Sequence, residues 1–251
     1  MFTITSDRPT RKDEGGSMRI YSELLEAIKE TERELIEMGS EVWPETMQDK
    51  SLLSDEYMTK ELQGYGYMIT TNFKKDESFR KLGGNLDYAL YEFQERIASY
   101  WINPGEAYLI RKEVWKEFLH NGKFAYTYNE RLREQLPMII EELKLRPNTR
   151  QAVITIYDRH QDLSNMGGKS RIPCSMYYQF LRRKRNGVEV LDCIYTMRSC
   201  DFYTHLIYDV WLAMRLQEFI ANAVGIESGN FTHFIGSLHA YRRDYEKKGV
   251  F

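Results

Sequence analysis

Residues 171–209, RIPCSMYYQFLRRKRNGVEVLDCIYTMRSCDFYTHLIYD, predict both the core of the fold and the chemistry of this chain. Cys174 directly precedes an alternating run, 175–181, that is typical of a strand. An Asn-Gly turn joins it to a second such run, 188–197, so we expect a β-hairpin. The second strand leads through Arg-Ser-Cys-Asp at 198–201 into a helix. A thiol beside an Arg-Ser-x-Asp cluster indicates nucleophilic chemistry on an anionic substrate.

The composition limits the class of protein. A chain of 251 residues is long enough for one large domain, and we expect 1–251 to form a single domain. A net charge of −2 gives no global attraction to nucleic acid or to an anionic membrane surface, so we expect neither as a direct partner. No apolar run reaches the length of a membrane span, and the N-terminus lacks the apolar core of a signal peptide. Three cysteines make no disulfide framework, which favours a reducing, cytoplasmic location.

The N-terminal half reads mainly as helical. Residues 1–16 are polar and are predicted to be a mobile arm, followed by a helix over 18–38 that ends at Gly39. Ser54 is expected to cap a short helix that carries Glu61. Residues 66–121 are expected to be a family-specific helical insertion or a strongly diverged wall of a cofactor site. That region should hold two helices, which we place at 85–101 and 106–120.

The C-terminal half alternates helices with strands. A helix over 130–144 should be kinked by Pro137, and 153–157 reads as a buried strand. A long helix over 202–224 should end at Gly225, and a strand should follow at 231–234. The basic run at the hairpin tip, which is Arg182, Arg183, Lys184 and Arg185, reads as a solvated turn, with RNA binding as an alternative.

Five short motifs resemble, in their order along the chain, those of the thymidylate synthase superfamily. They are 54–65, 146–151, 173–180, 198–201 and 239–241. The first resembles specifically the phage-type deoxycytidylate hydroxymethylase branch. The resemblance implies an α/β (α+β) fold with a large mixed sheet backed by helices, and a homodimer paired sheet to sheet.

The resemblance also implies a role for each matching residue. Cys174 matches the nucleophile, and Arg198 and Ser199 match the residues that bind the phosphate. Asp201 matches the carboxylate that hydrogen-bonds the pterin of a folate. Glu61 matches the catalytic carboxylate, which would exchange protons through ordered water. A neighbouring Arg198 would lower the pKa of Cys174 and favour the thiolate.

Further matches concern the sugar and the loop before the helix at 130. His239 and Tyr241 match a His-x-Tyr pair that holds the sugar hydroxyl. Tyr128 matches the tyrosine of a Tyr-Gly loop in the family. Asn129 replaces the glycine, and asparagine tolerates positive φ, so we expect the loop shape to survive.

The loop at 146–151 implies an assembly. Arg150 matches an arginine that reaches across a symmetric dimer to the phosphate of the partner's site, while Gln151 replaces a second arginine of that loop. Replacing that second arginine with Gln151 removes one charge-assisted contact to the phosphate. The implied ligands are a pyrimidine nucleoside monophosphate and 5,10-methylenetetrahydrofolate as the one-carbon donor, with no metal.

The choice of base depends on Asp209. Thymidylate synthases have Asn at this position, whose amide can both donate to and accept from uracil. A carboxylate only accepts, which suits the exocyclic amine of cytosine, and the hydroxymethylase branch has Asp there. We therefore expect transfer to dCMP or CMP with water added last. Open alternatives are a thymidylate synthase, a cytidylate C5 methyltransferase that keeps the hydride step, and a relative that only binds nucleotide.

Overall fold

The computed structural model describes residues 18–44, 46–47, 50–51, 54–70, 74–167 and 170–249. The predicted mobile arm, 1–16, lies outside these ranges. Within them, no helix has the length and apolar character needed to cross a membrane.

The described residues form nine strands and eight α-helices, with a run of helices between the fifth and sixth strands. The strands are β1 (Arg19–Tyr21), β2 (Ser40–Val42), β3 (Thr46–Met47), β4 (Lys50–Ser51), β5 (Thr59–Ile69), β6 (Val153–Thr155), β7 (Ser175–Arg185), β8 (Val188–Asp201) and β9 (Glu227–Tyr241). The α-helices are α1 (Leu24–Met38), α2 (Lys75–Lys81), α3 (Leu86–Ile97), α4 (Lys112–Trp115), α5 (Tyr128–Leu132), α6 (Gln135–Leu145), α7 (Ile207–Val224) and α8 (Arg242–Lys247). Short 3₁₀ turns lie at Asp55–Tyr57, Ala107–Arg111, Lys116–Phe118 and Leu163–Asn165.

Seven of the described strands form one mixed sheet. Its order is β1-β5-β9-β8-β7-β6, and β2 pairs with β5 outside this path. β1 is parallel to β5 and β8 is parallel to β9, whereas the other neighbours are antiparallel. The large mixed sheet backed by helices is therefore confirmed.

The segment 171–209 folds as its pattern predicts. β7 and β8 form a hairpin whose turn residues, Asn186 and Gly187, have φ of 50° and 85°. These positive values are those of a type I′ turn, which matches the twist of the strands. β8 then continues through one π-helical turn at Phe202–Leu206 into α7, and Gly225 ends that helix with φ of 86°.

The core lies on one face of the sheet. Tyr67, His233, Tyr195 and Tyr178 are successive partners across β5, β9, β8 and β7, and each is at most 1 % exposed. The rings of Tyr178, Tyr195 and His233 stack, with centroids 4.8 Å apart for Tyr195 and His233 and 4.4 Å apart for Tyr178 and Tyr195, whereas Tyr67 meets His233 edge-on. The three tyrosines share one hydrophobic cluster with the buried sides of α1 and α7, so this face carries the helices.

Two predictions for the N-terminal half are wrong. The helix expected over 18–38 begins only at Leu24, because Arg19–Tyr21 instead pairs with the edge of β5. The segment after Ser54 forms one 3₁₀ turn and then strand β5, so Glu61 lies on a strand and not on a helix. Gly64 and Gly66 weaken any helix there, while Tyr65, Tyr67 and Ile69 alternate as in a half-buried strand.

The middle of the chain also differs in detail. Of the two helices expected at 85–101 and 106–120, the first is α3 and the second is broken into 3₁₀ turns around α4. The helix expected over 130–144 is divided into α5 and α6, and Pro137 sits in the first turn of α6 rather than at a kink. A proline is tolerated there because first-turn amides have no intrahelical partner.

Candidate active site

One cavity, of about 280 Å³, collects most of the predicted site residues. Nine of the ten line it, and Arg150 does not. They are Glu61, Tyr128, Cys174, Arg198, Ser199, Asp201, Asp209, His239 and Tyr241. These side chains come from strands, helices and a loop far apart in sequence, so the sheet register is what brings them together.

Cys174 lies directly before β7, and Arg198 lies against it. The Arg198 guanidinium donates to the carbonyls of Pro173 (2.9 Å) and Ile172 (3.0 Å) and lies 3.9 Å from the Cys174 sulfur. Burial raises the pKa of the Cys174 thiol above its ordinary value, although Arg198 acts in the opposite direction. The expected lowering by Arg198 is therefore present but outweighed by burial.

The strand register places two carboxylates and a histidine in one row. Glu61 of β5 faces His239 of β9, and His239 faces Asp201 of β8. The hydroxyl of Ser237, two residues before His239 on the same side of β9, donates to Oε1 of Glu61. Asp201 accepts through Oδ1 from the amides of Tyr203 (3.1 Å) and Thr204 (3.3 Å), which begins the helical segment that leads to α7.

Asp209 enters the cavity from the first turn of α7. Burial raises its pKa to about 6, while Arg96 and Arg111 act to lower it. The Cys200 thiol lies 3.8 Å from Oδ2 of Asp209. A carboxyl with this pKa can exchange a proton near neutral pH.

Tyr128 links the cavity to the core through hydroxyl groups. Its hydroxyl lies 2.7 Å from that of Ser175, which in turn is hydrogen-bonded to Tyr195. Asn129, expected to adopt positive φ, is instead a buried residue of α5. Its side-chain amide donates to the carbonyls of Glu95 and Ala98 (2.9 Å each), and the helix therefore replaces the expected loop.

Arg150 is exposed and lies outside the cavity lining of its own chain. Its carbonyl accepts a 3.0 Å hydrogen bond from the side chain of Gln179 on β7. This contact fixes the loop against the sheet on the face opposite the stacked tyrosines, since Gln179 is adjacent to Tyr178 in the strand.

Sequence reasoning missed several cavity residues. Region 66–121, which carried no recognisable motif, contributes Tyr88, Arg96, Arg111, Trp115 and Phe118 to the wall. The expectation that it walls a cofactor site stays a prediction, but its side chains do face the cavity. The aromatic spacing gave no signal, because rings at helical intervals are more often core residues.

Two further residues of the quoted segment were also missed. Arg171 is 9 % exposed, and its guanidinium lies 4.8 to 6.0 Å from four ring centroids, those of Phe118, Trp115, Tyr126 and Phe124. His205 packs against Trp115 with centroids 5.5 Å apart, and burial lowers its pKa to about 4. Among the described residues, no group of three or more His, Cys, Asp or Glu side chains is placed to hold a metal ion.

Comparison with known proteins agrees with this geometry. A family model described as "Thymidylate synthase" matches residues 17–249. The thymidylate synthases of Listeria monocytogenes serotype 4b (strain F2365) and Listeria innocua serovar 6a are 24 % and 23 % identical over 218 residues, which is 86 % of this chain and 62 % of each relative. A relative from Methanopyrus kandleri is 32 % identical over 126 residues, 48 % of this chain and 57 % of its own. The chain thus spans less than two thirds of the length of these relatives. Because the family model covers nearly the whole chain, the protein belongs to the thymidylate synthase family.

Proposed function

We propose that this protein transfers a one-carbon unit from 5,10-methylenetetrahydrofolate to carbon 5 of a cytidylate, dCMP or CMP, and then adds water to give the 5-hydroxymethyl nucleotide. The observation that carries the proposal is the joint presence of Cys174, Arg198 and Asp209 in one cavity. They are a nucleophile, a phosphate-binding cation and a carboxylate able to recognise the base.

Cys174 starts the reaction by adding its sulfur to carbon 6 of the pyrimidine, which makes carbon 5 nucleophilic. Because burial raises the pKa of this thiol, its proton must leave as the nucleotide binds. The guanidinium 3.9 Å away favours that loss. Glu61, held by Ser237, is the group that moves protons at the base through water.

The remaining polar residues orient the nucleotide. Arg198 and Ser199 lie on β8 at the cavity wall and hold the phosphate. His239 and Tyr241 hold the sugar hydroxyl from β9, and their rings are 5.4 Å apart in an edge contact that fixes both. Tyr128 completes the opposite wall, with its hydroxyl already positioned by Ser175.

Two cavity residues, Asp201 and Trp115, suit the pterin of a folate. Asp201 keeps Oδ2 without a hydrogen-bond partner among the described residues, while Oδ1 is occupied by two backbone amides. Such a carboxylate oxygen accepts from the amino and amide groups of a pterin, and the ring of Trp115 offers a flat apolar wall. When bound, the folate supplies the one-carbon unit.

Asp209 is the residue that selects cytosine. Its carboxylate accepts from the exocyclic amine and stabilises a proton on ring nitrogen 3, where charge develops as Cys174 adds. Uracil instead presents a carbonyl to the carboxylate, a buried mismatch of about 1–3 kcal/mol or more. Selection should therefore be stronger in the transition state than in ground-state binding.

The proposal is tested by incubating the protein with dCMP, CMP or dUMP plus methylenetetrahydrofolate and identifying the products by mass spectrometry. Hydroxymethyl cytidylate is the expected product. A methylated cytidylate would assign the hydride step, thymidylate would favour a thymidylate synthase, and binding without turnover would leave a nucleotide-binding relative. In Asp209→Asn, kcat/KM should fall for dCMP and rise for dUMP, and an unchanged ratio would contradict the role of Asp209.

The open sheet face supports a symmetric homodimer. Phe234 and Tyr177 are 39 % and 38 % exposed on the face opposite the core, and Ile194 and Thr196 lie half-buried between them. Pairing two such faces would bury this patch. Arg150 is attached at the same face through Gln179, where it can reach the phosphate of the partner's site.

The dimer has a complementation test. Cys174→Ser and Arg150→Ala should each be nearly inactive alone, since each lacks a group needed at every site. In a mixed dimer, one site combines an intact Cys174 with an intact Arg150 from the other subunit, so mixing should restore activity. No recovery on mixing, or an active monomer by light scattering, would contradict the assembly.

A further inference from the structure

Two arginines from the region without family resemblance lie in the same cavity as Asp209. Arg96 is near the end of α3, and Arg111 ends the 3₁₀ turn that precedes α4. Both line the cavity that Asp209 enters from α7. The catalytic roles described above use neither of them.

Arg96 is held in a fixed orientation. Its Nε donates to Oε1 of Glu92, one turn earlier on α3, at 2.8 Å, and its side chain is only 11 % exposed. Its guanidinium lies 3.7 Å from the ring centroid of Tyr128, the tyrosine of the opposite wall. The ion pair and the stacking contact together fix the orientation of the planar guanidinium that faces the cavity.

Arg111 is attached directly to the start of α7. Its guanidinium lies 4.1 Å from the ring centroid of Tyr208 and 5.1 Å from that of Tyr88, and it donates to the carbonyl of Thr204 at 3.0 Å. Tyr208 immediately precedes Asp209 in the chain. The position of the Arg111 charge is therefore coupled to the helical turn that presents the carboxylate.

Arg96 and Arg111 have the largest charge effects on the pKa of Asp209, and Glu92 opposes them. Arg171 and Arg198 are further cations in the cavity lining, together with the carboxylates of Glu61 and Asp201 and the imidazoles of His205 and His239. The thiols and phenols that interact with Asp209 have pKa values that are raised, mainly by burial, so that they are neutral at pH 7. They are Cys174, Cys200, Tyr67, Tyr126, Tyr128, Tyr178 and Tyr195.

The charge state of Asp209 decides which base it can recognise. An ionised carboxylate only accepts hydrogen bonds, and thus fits cytosine and not the uracil carbonyl. A protonated carboxyl has one donor and one acceptor, so it pairs with uracil as well as with cytosine. Burial favours the protonated form, and a nearby positive charge opposes it.

We propose that Arg96 and Arg111 are positioning residues that keep Asp209 ionised beside the base and thereby cause the pocket to reject uracil. This inference rests on the proposed function, because it concerns the recognition of cytidylate by Asp209. It assigns to α3 and the adjoining turn a role in specificity. The pKa of Asp209, raised by burial to about 6, agrees with a carboxyl that the two arginines hold close to the ionised state.

The test is the pH dependence of nucleotide binding. Calorimetry gives the dissociation constants of dCMP and dUMP from about pH 5 to 9, and the phosphate ionisation common to both cancels in their ratio. In the wild type, discrimination against dUMP should increase as Asp209 ionises. In Arg111→Gln the midpoint of this pH dependence should move up, with about a fivefold loss of discrimination at pH 7 if the pKa of Asp209 rises by about one from its wild-type value of about 6, and recovery at pH 9.

The controls separate charge from structure. Arg215→Gln removes a guanidinium on α7 that pairs with Glu218 at 2.5 Å outside the cavity lining, and it should leave the midpoint unchanged. Arg96→Gln should behave as Arg111→Gln does. Arg96→Gln could fail to fold because Glu92 loses its partner. In that case the double variant Arg96→Gln with Glu92→Gln removes both charges of the pair, and its midpoint should move less than that of Arg111→Gln.

Two outcomes would overturn the inference. In the first, the ratio of the dUMP and dCMP dissociation constants does not vary with pH in the wild type. In the second, the midpoint of that pH dependence is the same in both arginine variants as in the wild type. Weaker binding of both nucleotides at every pH, without recovery at pH 9, would likewise assign the arginines a purely structural role. A wild type that prefers dUMP at all pH values while the midpoint still moves would refute the proposed substrate but not the coupling of the arginines to Asp209.

Discussion

Replacing Asp209 with asparagine should make the protein more stable above the pKa of this carboxyl. Burial raises that pKa from the ordinary 3.8 to about 6. The unfolded chain loses this proton at a lower pH than the folded protein does. Raising the pH from about 4 to 6 therefore favours unfolding. The difference between these two pKa values corresponds to at most about 3 kcal/mol of unfolding free energy. Asp209→Asn has no such proton. Its unfolding free energy should therefore rise relative to that of the wild type between about pH 4 and 6, and the difference should stay constant above pH 6.

The assay is urea unfolding of both proteins at a series of pH values from 4 to 8 without nucleotide. The difference in unfolding free energy, variant minus wild type, should increase with pH by up to about 3 kcal/mol. Asp87→Asn, an exposed change at the start of α3, is the matched control and should not reproduce this rise. A difference that is flat with pH, or that falls, would refute the idea that Asp209 is held as a costly buried charge.

Other predictions concern individual residues. Cys174→Ser should lose turnover by ~10³-fold or more while Cys193→Ser, buried in the core, keeps most of it, and equal rates would exclude a covalent mechanism. Glu61→Gln should bind nucleotide normally by calorimetry but form product ~10²–10⁴-fold more slowly, whereas an unchanged rate would remove Glu61 from proton transfer. Gly236→Ala should weaken nucleotide binding, because the added Cβ would lie 2.7 Å from the Arg198 carbonyl oxygen and must push β8 and β9 apart. Wild-type affinity in that variant would show that the strands tolerate the shift.

Local signals in the sequence were enough for the centre of the fold. The Asn-Gly turn specifies the β7–β8 hairpin because both residues accept positive φ, and Gly225 ends α7 for the same reason. The order of the family motifs also predicted the mixed sheet backed by helices. The hairpin and the end of α7 depend on backbone preferences that a few neighbouring residues decide.

Other features required the tertiary structure. Glu61 was expected on a helix, yet pairing with β9 draws its segment into the sheet and places it opposite His239. Short segments have too little intrinsic preference to resist such pairing. The charges around Asp209 were invisible for a related reason: Arg96 and Arg111 are far from Asp209 in sequence and meet it only when α3 packs on α7. The sequence by itself therefore determined the hairpin, the end of α7 and the candidate groups for the chemistry, whereas the tertiary structure decided the burial and the neighbouring charges that set their pKa values, because both depend on long-range packing.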